Sequence, residues 1–147
     1  MTGTPLQTAD SVILPLPPEA IWPVLIDISR YPQWWPNTLF TRAIPSPSGL
    51  IGSELHIRPM GIRRFICRVI AADQPHTIDL EYVGDFITGQ GQWALVPEGQ
   101  GTRVNYVIDV VIHGSLAALA ARLIDFKAVH SSSMRGIFRG LHAQLFP

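Results

Sequence analysis

Few side chains in this sequence are equipped for chemistry, and their spacing narrows that chemistry further. His130 falls on the apolar stripe of a helical segment, with Met134 one turn later. An imidazole so placed either bonds a ligand oxygen and shuttles a proton, or is a half-buried histidine satisfied by a carbonyl or a tyrosine. Met134 suits a core or an adaptable ligand wall. Arg68 lies in a strand-like run in phase with Ile66 and Ile70, while Phe65, Cys67 and Val69 take the other face. Both faces are partly apolar, so its direction stays open. An inward guanidinium would hold a carboxylate or enolate. Tyr82 shares a strand face with Ile78 and Leu80, and Tyr106 with Val104 and Ile108, and both bring phenolic donors. Glu54, His56 and Arg58 share one strand face, which reads as solvated surface with weak ion pairing. His130 and Arg68 are therefore the catalytic candidates.

Other chemistries are missing from the pattern. The five histidines, at 56, 76, 113, 130 and 142, have no metal-site spacing. One cysteine, Cys67, makes neither an internal disulfide nor a thiolate zinc cluster. No phosphate loop, nucleophile elbow or dinucleotide fingerprint occurs, and no cofactor is called for. Eleven basic residues balance eleven acidic ones across 147 residues. Nucleic acid, which selects for a basic surplus, is not an expected partner. Zero net charge removes colloidal repulsion and leaves a homodimer open. Met1 to Asp10 lacks the basic and apolar regions of a signal peptide, and Val110–Ala121 is too short to span a bilayer. These features predict a cytoplasmic protein without a membrane span.

The elements that must position these groups follow from periodicity and turn chemistry. Residues 1–8 read as a loose tail. Ser11–Leu16 predicts a strand with Val12 and Leu14 on one face. Pro18–Ile26 predicts a helix opened by proline and Glu19, followed by a short helical piece around Asp27–Tyr31. From Leu39 the period becomes two. Six strands are expected, at Phe40–Ile44, Ser53–Pro59, Arg63–Ala71, Thr77–Val83, Ile87–Val96 and Thr102–Ile112, joined by short turns into an antiparallel meander. Ser115 is then expected to cap a long helix with its stripe at Leu116, Leu119, Leu123, Phe126, His130, Met134, Ile137, Phe138, Leu141 and Leu145. Gly136 and Gly140 would let that helix approach the sheet closely. The whole chain reads as one α+β domain.

This order resembles the helix-grip fold of the START-like and Bet v 1-like (SRPBCC) superfamily, and is most similar to its bacterial polyketide cyclase/dehydrase-type branch. The likeness rests on Pro18–Asp27, on Tyr31-Pro32-Gln33-Trp34-Trp35-Pro36, on Gly89–Leu95 with Gly101–Tyr106, and on His130, Met134, Gly136, Gly140 and Leu141. It implies a seven-stranded curved antiparallel sheet wrapped around the terminal helix, with an apolar cavity between them. The family includes lipid, sterol and quinone carriers and polyketide cyclases. Trp35, Tyr82, Trp93, Tyr106, Phe126, His130 and Met134 are the expected ligand-wall residues. Three readings follow. The first is a carrier of a small apolar molecule such as a lipid, isoprenoid, quinone or polyketide. The second is a polyketide cyclase or dehydratase using His130, Arg68 or a pocket tyrosine. The third is an interaction module with a filled core.

Overall fold

A computed structural model describes residues 3–114, 119–120 and 123–147. Strand β1 (Gly3–Leu14) leads into helix α1 (Pro18–Ile26), a 3-10 turn at Ile28–Arg30 and the one-turn helix α2 (Tyr31–Trp34). Strands β2 (Arg42–Ser46), β3 (Gly49–Ile57), β4 (Phe65–Asp73), β5 (Thr77–Val83), β6 (Ile87–Glu98) and β7 (Gly101–His113) follow, and helix α3 (Phe126–Leu145) closes the chain. The seven strands form one antiparallel sheet in the order β1-β7-β6-β5-β4-β3-β2. The expected meander is present, and β1 returns to pair with β7.

Alternation decides what faces the helices. Val104, Tyr106, Ile108 and Val110 of β7 are buried, as are Ile87, Trp93 and Leu95 of β6. Along β4 the inward face belongs to Cys67 and Val69, and Ile66, Arg68 and Ile70 point outward. An extra residue at Ile70 shifts the register between Val69 and Ala71; such a bulge adds twist and helps the sheet curve. Met134, Ile137, Phe138 and Leu141 of α3 press into the concave face.

Three expectations are corrected. Where a loose tail is expected over residues 1–8, Gly3–Thr8 are strand, paired from Gly3↔His113 to Thr8↔Ile108. The polar residues there occupy an edge strand whose backbone, not its side chains, makes the pairing. Second, the long helix does not run unbroken to Leu145. The Asp125 carboxylate accepts from Ala128 N–H at 3.1 Å and caps a fresh start at Phe126. Leu123, expected on the buried stripe, is 87% exposed, and Leu119 is exposed with it. Ser115 and Leu116 lie outside the described residues. Third, Gly136 and Gly140 serve contact with α2 rather than with the sheet. A Cβ at Gly140 would collide with the Trp34 carbonyl, and one at Gly136 would lie 2.8 Å from Pro36 Cγ.

Candidate functional site

The core between the sheet and the helices holds a void of about 10 Å³. That is room for about one water. Its walls include Ile28, Tyr31, Trp35, Cys67, Val69, Leu80, Trp93 and Tyr106. The aromatic-proline corner roofs it because α2 is too short to bury anything but its rings. Tyr31 stacks on Trp35 at 5.2 Å between centroids and meets Trp34 edge-on at 4.9 Å. The Tyr31 hydroxyl donates to the Leu25 carbonyl at 2.5 Å, which ties α2 to α1. On the floor, Trp93 packs edge-on against Tyr106 at 4.7 Å and against Phe138 at 6.3 Å.

Polar atoms gather at this apolar void. The hydroxyls of Tyr82 and Tyr106 lie 2.5 Å apart in a buried hydrogen bond. Register brings them together: Tyr82 pairs with Cys67 on one side and Gly89 on the other, and Trp93 with Tyr106. Gly91 leaves the room they need, since a Cβ there would stand 2.9 Å from Tyr82 Cε1 and 3.3 Å from the Tyr106 hydroxyl. Trp35 Nε1–H is buried with no acceptor among the described residues. A buried donor without a partner is a costly arrangement that a ligand oxygen would relieve.

Burial fixes the protonation states. It pushes the Cys67 thiol up to about 12, and the Tyr31, Tyr82 and Tyr106 phenols well above their ordinary range. Near neutral pH all four are therefore neutral, and none is an activated nucleophile. The Tyr31 proton is already given to the Leu25 carbonyl, and one of the Tyr82 and Tyr106 protons to the other hydroxyl, so one phenolic proton of that pair is left to meet a carbonyl, hydroxyl or quinone oxygen.

A second polar group lies under α3. His130 Nε2 is 3.9 Å from Asp10 Oδ2, and both atoms are buried with no hydrogen-bond partner among the described residues. Burial lowers the His130 pKa, and the Asp10 charge opposes that shift. The imidazole ring stands 6.1 Å from the Tyr106 ring, between centroids. Asp10 is inward because it is in phase with Leu6 and Leu14, which are buried on the same face of β1.

Of the residues expected from sequence, Trp35, Trp93 and Tyr106 line the void, Tyr82 is bonded to Tyr106, and the His130 ring lies tilted 6.1 Å from that of Tyr106. Met134 is fully buried on α3. Phe126 stands apart, in a surface groove with Thr4, Leu6 and Lys127. Arg68 is corrected: it points away from the core and is 37% exposed. Its Nε and Nη2 both lie 2.9 Å from Glu54 Oε2, and its Nη1 is 3.5 Å from Glu81 Oε1. The His56 contact at 3.1 Å, and after it the Arg68 guanidinium, hold the Glu54 carboxyl below the usual range against its partial burial. Of the row Glu54, His56 and Arg58 expected to be solvated and weakly paired, Glu54 and His56 are paired but His56 is largely buried, and Arg58 has no ion pair among the described residues. Tyr31 was expected among the aromatic walls, whereas Cys67 and Asp10 were not legible as site residues. Continuing the Val12–Leu14 phase back by one step identifies Asp10; the polar run Gln7-Thr8 hides it.

The geometry defines a helix-grip protein, a curved sheet closed on an apolar core by a terminal helix. The chain belongs to the family described as polyketide cyclase / dehydrase and lipid transport, which it matches over residues 6–144. Among curated proteins no sequence relative is found. Solved structures agree on the fold. A truncated norcoclaurine synthase from Thalictrum flavum superposes with a TM-score of 0.73 at 10% identity, covering 99% of this chain and 96% of that one. A Thermus thermophilus protein gives 0.76 at 18% identity over 95% and 97%. A START superfamily protein from Mycobacterium smegmatis gives 0.69 at 16% identity over 95% and 96%. Among the described residues no helix is long and apolar enough to cross a membrane.

Proposed function

We propose that this protein binds a small, largely apolar molecule carrying one oxygen-bearing head in the core between the sheet and α3. The observation that carries the reading is the buried Trp35 Nε1–H, unpaired among the described residues, on a side chain that lines an apolar void together with Tyr106, itself bonded to Tyr82. The family description, which includes lipid transport, supports it. A void of about 10 Å³ does not hold such a molecule, since ligand sites run to about 300 Å³ or more. Binding therefore requires the α2 corner and α3 to part. The fraction of open molecules then scales the observed affinity.

A panel of fatty acids, quinones and aromatic polyketides, titrated while following tryptophan fluorescence, tests this. Trp35→Phe keeps the stack on Tyr31 and removes the donor. It should weaken binding about two- to twelvefold, the worth of one neutral hydrogen bond. Unaltered affinity in Trp35→Phe would exclude Trp35 as the anchor, and a panel without a binder would count against the carrier reading.

The Asp10–His130 pair favours a second reading, an enzyme in which neutral His130 takes a proton from a polyketide-like substrate. His130→Gln would then cut turnover about 10²- to 10⁴-fold and leave binding nearly unchanged. In a carrier the same change would alter affinity alone. The balanced charge of the whole chain argues against nucleic acid as the partner. Action in the cytoplasm, as a single domain free to self-associate, completes the proposal.

A further inference from the structure

Only two non-glycine residues among those described have a positive φ, Phe40 (45°) and Met60 (55°). Both are large apolar residues, for which that conformation is strained and uncommon. Both display their side chains to solvent: Phe40 is 60% exposed, Met60 70%, and the neighbouring Ile62 77%. They occupy one corner, because the Phe40 ring lies against Gly61 in the turn between β3 and β4. Hydrophobic burial would be expected to withdraw such groups. Instead the backbone is held in an unfavourable conformation with the apolar tips outward.

The same corner is cationic. Arg42, Arg58 and Arg64 line a groove of about 490 Å³ with Phe40, His56 and Gly61. Arg63 stands over the Phe86 ring at 5.1 Å. Among the described residues no carboxylate forms an ion pair with Arg42, Arg58, Arg63 or Arg64, in contrast to Arg68 and Arg103. Residues 40–64 hold these four arginines and one acid, Glu54, in a chain that is neutral overall. Glu54 is already engaged by Arg68 and His56.

From this arrangement we infer that the Phe40–Arg64 corner is a docking surface for an anionic phospholipid bilayer. Phe40, Met60 and Ile62 would insert among the acyl chains near the interface, and the arginines would hold headgroup phosphates. An acidic protein would satisfy the arginines but not require protruding apolar tips at strained turns. A bilayer uses both.

The test is co-sedimentation of the intact protein with phosphatidylcholine vesicles, with and without about 30 mol % phosphatidylglycerol. Wild type should bind the anionic vesicles and not the neutral ones, and high salt should weaken binding by screening. Arg58→Glu/Arg64→Glu should lose at least about tenfold, given about fivefold per basic residue at an anionic surface. Met60→Ser/Ile62→Ser should also lose binding. Both pairs are exposed, so circular dichroism should match wild type. Equal binding by either double variant, or no sedimentation with anionic vesicles, would overturn the inference. So would capture of an anionic oligonucleotide or free phosphate without vesicle binding. None of these readouts depends on whether the core takes a ligand, which the fluorescence titration reports separately.

Discussion

At the scale of single residues, the site works through neutral donors in a dry place. Burial keeps Cys67, Tyr82 and Tyr106 protonated, so in the proposed site their role would be to orient a polar head rather than to attack it. His130 is the group that responds to pH. Its folded pKa lies below the ordinary 6.5 because burial disfavours the imidazolium. The unfolded chain therefore binds that proton more readily. Stability from this group is present above about pH 6.5 and is lost as pH falls through the lower folded value. Thermal melts at falling pH should show that loss in wild type and much less of it in His130→Gln. Asp10→Asn removes the opposing charge, so its melting point should fall further than that of wild type over the same window. Identical pH profiles for all three proteins would contradict this account of His130. These roles were only partly legible. His130 announced itself by lying on an apolar stripe, whereas Asp10 lies one residue before the strand expected from Ser11, in phase with Val12 and Leu14 but at the end of a polar run. Arg68 was ambiguous because both faces of its strand carry apolar residues, and only pairing with Glu54 across β3 and Glu81 across β5 settles it.

At the scale of elements, β2 and β4–β7 lie within two residues of their expected bounds, since period-two alternation and proline or glycine turns are local signals, whereas β1 and β3 begin eight and four residues before theirs, in stretches without apolar alternation. The terminal helix also departs from its expected bounds. Its stripe continues in phase through Leu119 and Leu123, and nothing in a hydrophobic pattern distinguishes a capped restart at Asp125 from one continuous helix. The energetic consequence is direct. Leu123→Ala should change stability by less than about 0.5 kcal/mol, as for other surface substitutions. Met134→Ala, on the buried face of α3, should cost about 2–5 kcal/mol. Denaturant midpoints measured on both variants check the boundary; a large loss at Leu123 would restore the longer helix. Gly140→Ala probes the α2–α3 contact. Its methyl would meet the Trp34 carbonyl, so the helix must shift and stability should fall by about 1–3 kcal/mol. If that shift also opens the roof over the void, ligand association should speed up in the same variant. Unchanged stability would mean that the two helices are not in close contact.

At the scale of the whole molecule, the sheet and helix enclose a core that is almost filled, and a sequence does not reveal that. Pattern assigns residues to the inward face, but the space left between faces depends on how Tyr31, Trp35, Trp93 and Phe138 interlock. In place of the expected apolar cavity the core holds a void of about 10 Å³, too small for a ligand. The central claim is that this core opens to admit an apolar molecule and seats its oxygen at Trp35. The indole N–H signals of the four tryptophans provide the most direct measurement. In an NMR titration with a ligand found by fluorescence, the Trp35 indole signal should move downfield as its proton gains an acceptor. The Trp93 signal should shift with it, and Trp22, which is not part of the void wall, should stay in place. A ligand that binds while leaving the Trp35 and Trp93 signals unmoved would contradict the account.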